Sequence, residues 1–282
     1  EVARNCAYTN SGTTLGRGTL ESSSTGVAVA FTSAAVVSVV ATAAWGNNLE
    51  NLALRATIEG FAPTWVSATQ VGAGVGSALI ESTGLICRAT SAPSNITPSV
   101  SANTWYHVYL YLSGSTPTLE SSTSAPVAFA TPAGTARSKT ADTSRRYLYS
   151  FRTDGSSNIR RWSYIPAGSI YMWAAQQVNA TPFRVLSNGT ATTSTAVSCA
   201  AVASTTSRAV FCSVIDVGAS GHGTYVGDNS FTVSSTSFMV GIGNGQVQTG
   251  MVPIDASQNL NYIASDAVGG SYIDVQGFVL ER

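Results

Sequence analysis

The stretch "TWYHVYLYL", residues 104–112, alternates along its whole length. With a period of two, Trp105, His107, Tyr109 and Tyr111 share one face, and Tyr106, Val108, Leu110 and Leu112 share the other. Aromatic and β-branched side chains suit a pleated, half-buried surface. The pattern returns in "RRYLYSF" (145–151), with Arg145, Tyr147, Tyr149 and Phe151 on one side and Arg146, Leu148 and Ser150 on the other, continuing to Arg152. "TDGSSN" then supplies a turn, and "IRRWSYI" (159–165) reads as the returning strand of a hairpin. Further strand-like runs follow: "AVSCAAV", "RAVFCSVIDV", "SFTVSS", "SFMVGIG" and "SYIDVQGFVL". The best helical candidate is one short stretch, "NNLENLALRATI" (47–58). Many short strands with frequent turns predict an all-β chain of jelly-roll or β-sandwich domains.

Pro- and Ser-rich breaks at "TSAPSNITPSVSAN" (90–103) and "NATPF" (179–183) divide the chain into three expected regions. Residues 1–95 form an Ala/Val/Gly-rich β region for attachment or oligomerisation, 96–180 an aromatic, arginine-bearing β domain, and 181–282 a C-terminal β-sandwich. An uncharged run between Glu21 and Glu50 contains "GVAVAFTSAAVVSVVATAAWG" and is long enough to cross a bilayer. The quoted part has no Leu or Ile, scattered Ser and Thr, and no flanking basic cluster, so it reads as buried β structure without membrane insertion. The opening "EVARN" has neither an initiator Met nor a signal-peptide pattern, which fits a processed product or a fragment equally.

Charge is scarce. Fourteen basic and fourteen acidic residues cancel, and together they make 10% of the chain, against the usual quarter. Zero net charge argues against nucleic-acid binding, which depends on a broad basic field. The surface is therefore either coated with Ser, Thr, Asn and Gly or partly covered by other subunits. The four cysteines, Cys6, Cys87, Cys199 and Cys212, form no CxxC, which disfavours a zinc site. A turn at Ser204–Ser207 would set Cys199 and Cys212 on neighbouring strands. That leaves a disulfide open, with small buried thiols the plainer reading.

The two histidines limit catalytic options. His222 lies in "GASGHGTYVGDN", and a Ser–His–Asp triad is conceivable with Asp216 or Asp228, but there is no GxSxG elbow to supply the serine. Asp142 and Asp154 read as salt-bridge partners rather than a glycosidase pair. "GIGNGQ" and "GAGVG" do not continue into a phosphate loop and read as turns. No catalytic residue, metal ligand or cofactor site is expected.

The chemistry concentrates in "ARSKTADTSRRYLYSFRTDGSSNIRRW" (136–162). Arg137, Lys139, Arg145, Arg146, Arg152, Arg160 and Arg161 are half of all the basic residues, opposed locally only by Asp142 and Asp154. Arginine carries a fixed charge and a planar fork of donors, which suits interfaces and flat acceptor groups. Arg145, Arg146, Arg152, Arg160 and Arg161, with Trp105, His107, Tyr109 and Trp162, are therefore the candidate receptor or interface residues. One face of the expected hairpin would pair with acids or carbonyls of a neighbouring protomer, and the other would meet an anionic receptor group.

Residues of roughly 100–282 resemble a module of virion structural proteins of tailed bacteriophages, of the tail-fibre or receptor-binding type. The similarity lies in the "WYHVYLY" strand, the "LESS…P" and "GTARSKTADTSRRYLYSF" segments, a strand ending in Trp, "VLSNGTATTSTAVSCAAVASTTSR" and the closing "GGSYIDVQGFVLER". The resemblance implies a non-enzymatic homotrimer exposed on a virion assembled in the host cytoplasm. Its partners would be other tail or capsid proteins and a host cell-surface glycan or protein. No long shaft is present, so a compact tip, adaptor or decorating protein is expected. The competing readings are a capsid-decorating or head-fibre protein, a glycan-depolymerising tailspike, and a secreted carbohydrate-binding module.

Overall fold

The computed structural model describes residues 58–130, 135–174 and 181–282, and the backbone of four short strands before residue 23. The uncharged run and nearly all of the 47–58 helix candidate lie outside the described residues. The chain divides into two compact units, 1–46 and 47–282. In the first, β1 (Val2–Arg4) pairs with β4 (Thr19–Ser22), and β2 (Tyr8–Thr9) with β3 (Thr14–Leu15). Among the described residues every regular element is a strand, so the described part of the chain is all-β.

The first described elements of the second unit are a sheet of β5 (Ile58–Gly60), β8 (Gly76–Ile80) and β9 (Leu85–Ala89) and a hairpin of β6 (Pro63–Ser67) with β7 (Gln70–Ala73). A five-stranded sheet follows, in the order β11 (Thr116–Ser122), β10 (Trp105–Ser113), β14 (Asp142–Arg152), β13 (Arg137–Lys139), β12 (Pro126–Ala128). The opening stretch is thus β10, an inner strand, and it is buried on both faces. On one face Tyr106 stacks on Phe151 at 5.4 Å, and Tyr149 donates to Gly72 O at 2.7 Å. On the other, Trp105 Nε1 donates to Ala200 O at 2.8 Å, and the Tyr147 hydroxyl meets Thr206 Oγ1 at 2.8 Å. A register shift between Val108 and Tyr109 brings Tyr147 and Ser150 to the same side, 2.7 Å apart.

The hairpin expected from 145–152 and 159–165 does not form. β14 pairs with β10 and β13, whereas β15 (Trp162–Ile165) pairs with β16 (Ile170–Trp173). Only an isolated bridge, Thr153 to Ile159, joins the two segments. The reason is burial: Trp162 continues past β14 to pack between Phe151 and Tyr171 at 6.4 and 6.1 Å, so its strand belongs with β16.

The remaining strands make two antiparallel sheets. One runs β15, β16, β24 (Ser271–Leu280), β19 (Ser207–Asp216), β22 (Val247–Pro253), with β17 (Arg184–Gly189) pairing the first half of β24. The other runs β18 (Thr195–Ser198), β23 (Asn259–Ala264), β20 (Gly223–Gly227), β21 (Val240–Gly243). From β17 onward the chain changes sheet at each connection except β20 to β21. Val197, Val210, Val214, Val226, Leu260 and Ile273 are buried in the common core, each burial stabilising by about 1.5–3 kcal/mol. Strands on either side of residue 180 share one sheet, and the core runs without a break from Phe61 to Leu280. Cys199 follows β18 and Cys212 lies in β19, so they sit on opposite sheets rather than on neighbouring strands. Both are free and buried, and burial pushes each thiol up to about 12.

Candidate functional site

The cations of residues 136–162 are held by the fold in three ways. The first is ion pairing within the chain. Glu120, on β11, accepts from Lys139 Nζ and Arg145 Nε, both at 2.9 Å, and the Arg145 guanidinium lies 4.0 Å from the Tyr111 ring centre. Glu281 receives Arg137 at 3.2 Å and Arg208 at 2.5 Å, and those hydrogen bonds hold its carboxyl below the usual range.

The second way is burial without a carboxylate in contact. Arg146 is fully buried in β14, its guanidinium 4.9 Å from the Phe129 ring, and none of its three side-chain nitrogens has an acceptor. Burial pushes its pKa down to about 9, with the charge of Arg282 adding and Glu81 opposing. Glu81 itself accepts from Ala130 N at 2.8 Å and from the Ser138 hydroxyl.

The third way is stacking at the surface. Trp105 and Arg152 are register partners, and the Thr153–Ile159 bridge sets Arg160 opposite Arg152. Trp105, Arg152 and Arg160 therefore form one row on one face. Arg152 lies 5.6 Å from the Trp105 ring centre, and Arg160 lies 5.3 Å from that of Phe183. Arg161 is exposed on the opposite face, 5.2 Å from the Trp65 ring, whose Nε1 donates to Ile159 O.

The expected site residues thus separate. Arg145, Arg152, Arg160, Arg161 and Trp105 reach solvent at least in part, while Arg146, His107, Tyr109 and Trp162 are interior to the chain. As a correction to the expectation, these four present no surface to a receptor or a second protomer, because β10, β14 and β15 carry them into packed layers. His107 Nδ1 meets Ser150 Oγ at 2.8 Å, in a buried network that continues through Tyr147 and Thr206 to Ser204. Burial lowers its pKa to about 4. Asp142 and Asp154 lie at opposite ends of β14, roughly 40 Å apart at strand rise, far beyond the separation of a glycosidase pair. Asp142 accepts from Ser144, and Asp154 caps the turn at Ser156 and Asn158.

A second polar cluster is buried at the end of β19. His222 Nδ1 meets Asp216 Oδ2 at 2.7 Å, and the same oxygen accepts from Thr224 Oγ1, which contacts Ser271 Oγ at 2.7 Å. Glycine at 218 is required here, since a Cβ would lie 2.4 Å from His222 Cγ. The Asp216–His222 pairing weighed from sequence is therefore real, but no serine among the described residues completes it. His222 Nε2 is buried without a hydrogen-bond partner and faces Asp266 Oδ1 at 3.6 Å. The arrangement ties β19, β20 and β24 together. Asp228 caps Ser230 instead. Among the described residues no group of three or more His, Cys, Asp or Glu side chains is placed to hold a metal ion, and no helix is long and apolar enough to cross a membrane.

The sheet edges supply one further surface. β22 ends its sheet, carries no charged residue, has a proline only as its last residue, Pro253, and exposes Val247 (63%) and Met251 (54%); on the adjoining edge Phe238 and Met239 are also exposed. Edge strands are normally guarded by charge or proline against pairing with another chain. Sequence reasoning missed Glu81, Glu120, Glu281, Phe183, Asp266 and this edge, since each acts through partners distant along the chain. No family model matches the chain, and no curated protein matches it either.

Proposed function

We propose that this chain is a non-enzymatic virion structural protein of a tailed bacteriophage, a tail-fibre or tail-tip component that attaches to a host surface, with residues 184–280 forming a jelly roll and the chain assembling as a homotrimer. The observation that carries the reading is strand order. The sheet β17–β24–β19–β22 faces the sheet β18–β23–β20–β21, with the chain crossing between them at nearly every connection. That order supports an eight-strand, double-Greek-key reading, the arrangement of viral capsid and lectin-like domains. The phage-like segments of 100–282 agree with it. Fold alone does not assign function, so two surfaces add weight: the uncharged apolar edge at β21 and β22 suits burial against another subunit, and the partly exposed arginine–aromatic row suits a receptor.

The test has two arms. Light scattering of the purified chain at micromolar concentration is expected to give three times 29.0 kDa, and antibody labelling of intact particles is expected to mark the tail tip. Labelling of the capsid selects the decorating or head-fibre reading. A monomer that labels no particle but binds glycans selects the secreted-module reading. Shortening of host polysaccharide by the purified chain selects the depolymerase.

A further inference from the structure

The row Trp105–Arg152–Arg160 holds an unbalanced charge. Residues directly opposite on adjacent strands have Cβ atoms about 4.5–5.5 Å apart, and like charges there are destabilising. Arg152 and Arg160 are such a pair, and among the described residues neither has a carboxylate within ion-pair distance. The charge of Asp154 favours the charged form of Arg160 from beyond ion-pair distance, but its Oδ1 already accepts from the amides of Ser156 and Asn158. Nε of each arginine is buried and has no acceptor, although both side chains are partly open to solvent. The floor beneath them is rigid and aromatic: Trp105 contacts Trp173 at 6.2 Å, and Trp173 contacts Phe183 at 5.8 Å. Burial lowers the pKa of both arginines, and for Arg152 the neighbouring charge of Arg160 lowers it further.

Two guanidinium groups directly opposite each other, packed on aromatic rings, partly open to solvent and with no carboxylate within ion-pair distance, make a receptor for a flat or tetrahedral anion. We propose that Arg152 and Arg160 bind an oxyanion — a carboxylate, sulfate or phosphate group — between them, with Trp105 and Phe183 fixing the guanidinium planes. The biological meaning of this site rests on the attachment reading above, where the anion would be an acidic group of a host surface structure. The anion chemistry itself stands on the row.

The full chain is titrated with sulfate, phosphate and glucuronate against chloride at matched ionic strength, with thermal melting and isothermal calorimetry as readouts. Each oxyanion is expected to raise the melting temperature of the wild type by about 3–6 °C at about ten times its dissociation constant. R152Q and R160Q are each expected to weaken binding about tenfold or more, since each removes one charge-assisted fork. R161Q, on the opposite face, is expected to leave it unchanged. In oxyanion-free, low-salt buffer, R160Q is expected to melt at or above the wild type because the like-charge pair is gone. A preference for glucuronate points to an acidic saccharide, and a preference for phosphate to a phosphorylated one. An equal shift in all variants, no oxyanion-specific shift in the wild type, or an R160Q melting point well below the wild type without anion overturns the site. R160K serves if R160Q fails to fold: it keeps the charge and loses the fork, so unchanged affinity also overturns the site. If anion binding follows this pattern while saturating anion leaves adsorption to host cells unaltered, the attachment reading fails and the site stands.

Discussion

Replacing Arg146 by methionine is expected to make the protein more stable. The guanidinium is fully buried with no acceptor for any of its nitrogens, and burial pushes its pKa down from the ordinary arginine range to about 9. At neutral pH the charged form is therefore penalised by of order 5 kcal/mol relative to the unfolded chain. Methionine removes the charge and keeps most of the length. The change forfeits the contact with Phe129, worth about 2 kcal/mol when desolvated, and leaves a small void costing about 1 kcal/mol. Glu81 is not stranded, because it already accepts from Ala130 N and the Ser138 hydroxyl. The balance is a gain of about 1–2 kcal/mol, or roughly 2–8 °C in melting temperature for a unit of this size. Urea unfolding at pH 7, followed by tryptophan fluorescence, reads it directly. Arg146→Ala is a poor probe, since its cavity alone costs about 2–5 kcal/mol. An Arg146→Met variant less stable than the wild type by more than about 1 kcal/mol would mean that the charge is compensated in the native protein, and would refute the reasoning.

The other expectations concern pH, thiols and assembly. His107, held neutral with a pKa near 4, binds a proton more readily when unfolded, where its pKa is about 6.5; stability is therefore complete above pH 6.5 and falls by roughly 2–3 kcal/mol by pH 4.5. The urea midpoint of His107→Gln should show a correspondingly smaller drop between pH 7 and pH 4.5, and an equal drop in both proteins would assign the effect elsewhere. Cys199 and Cys212 should resist maleimide at pH 8 in the native protein and react fully in urea, read site by site by mass spectrometry; native labelling, or a bridge between them under non-reducing conditions, contradicts the buried, free thiols. Met251→Lys on the uncharged β22 edge should lower the mass seen by light scattering without lowering the melting temperature of the subunit, because Met251 is exposed. An unchanged oligomer would move the subunit contact to another surface.

The strand at 104–112 was readable because a period of two is written locally in the order of side chains, and burial on at least one face enforces it. Its partners were not. "TDGSSN" carries turn residues, so a hairpin through it satisfied every local rule, yet Arg152 and Arg160 meet only at the edge of a single bridge. What decides the pairing is where Trp162 is buried, between Phe151 and Tyr171, and that depends on β16 and β24 being in place. The arginines follow the same division. Their clustering was visible, and so was the paucity of nearby acids. Glu120 lies 25 residues before Arg145 and joins it only because β11 pairs with β10, beside β14. An excess of cations in a short stretch therefore separates into three that long-range pairing neutralises, one that the core encloses, one exposed alone against Trp65, and two that the fold brings face to face with no carboxylate within ion-pair distance. Only the last kind leaves a demand that something outside the chain can meet, which is why the functional weight falls on Arg152 and Arg160 rather than on the whole basic stretch.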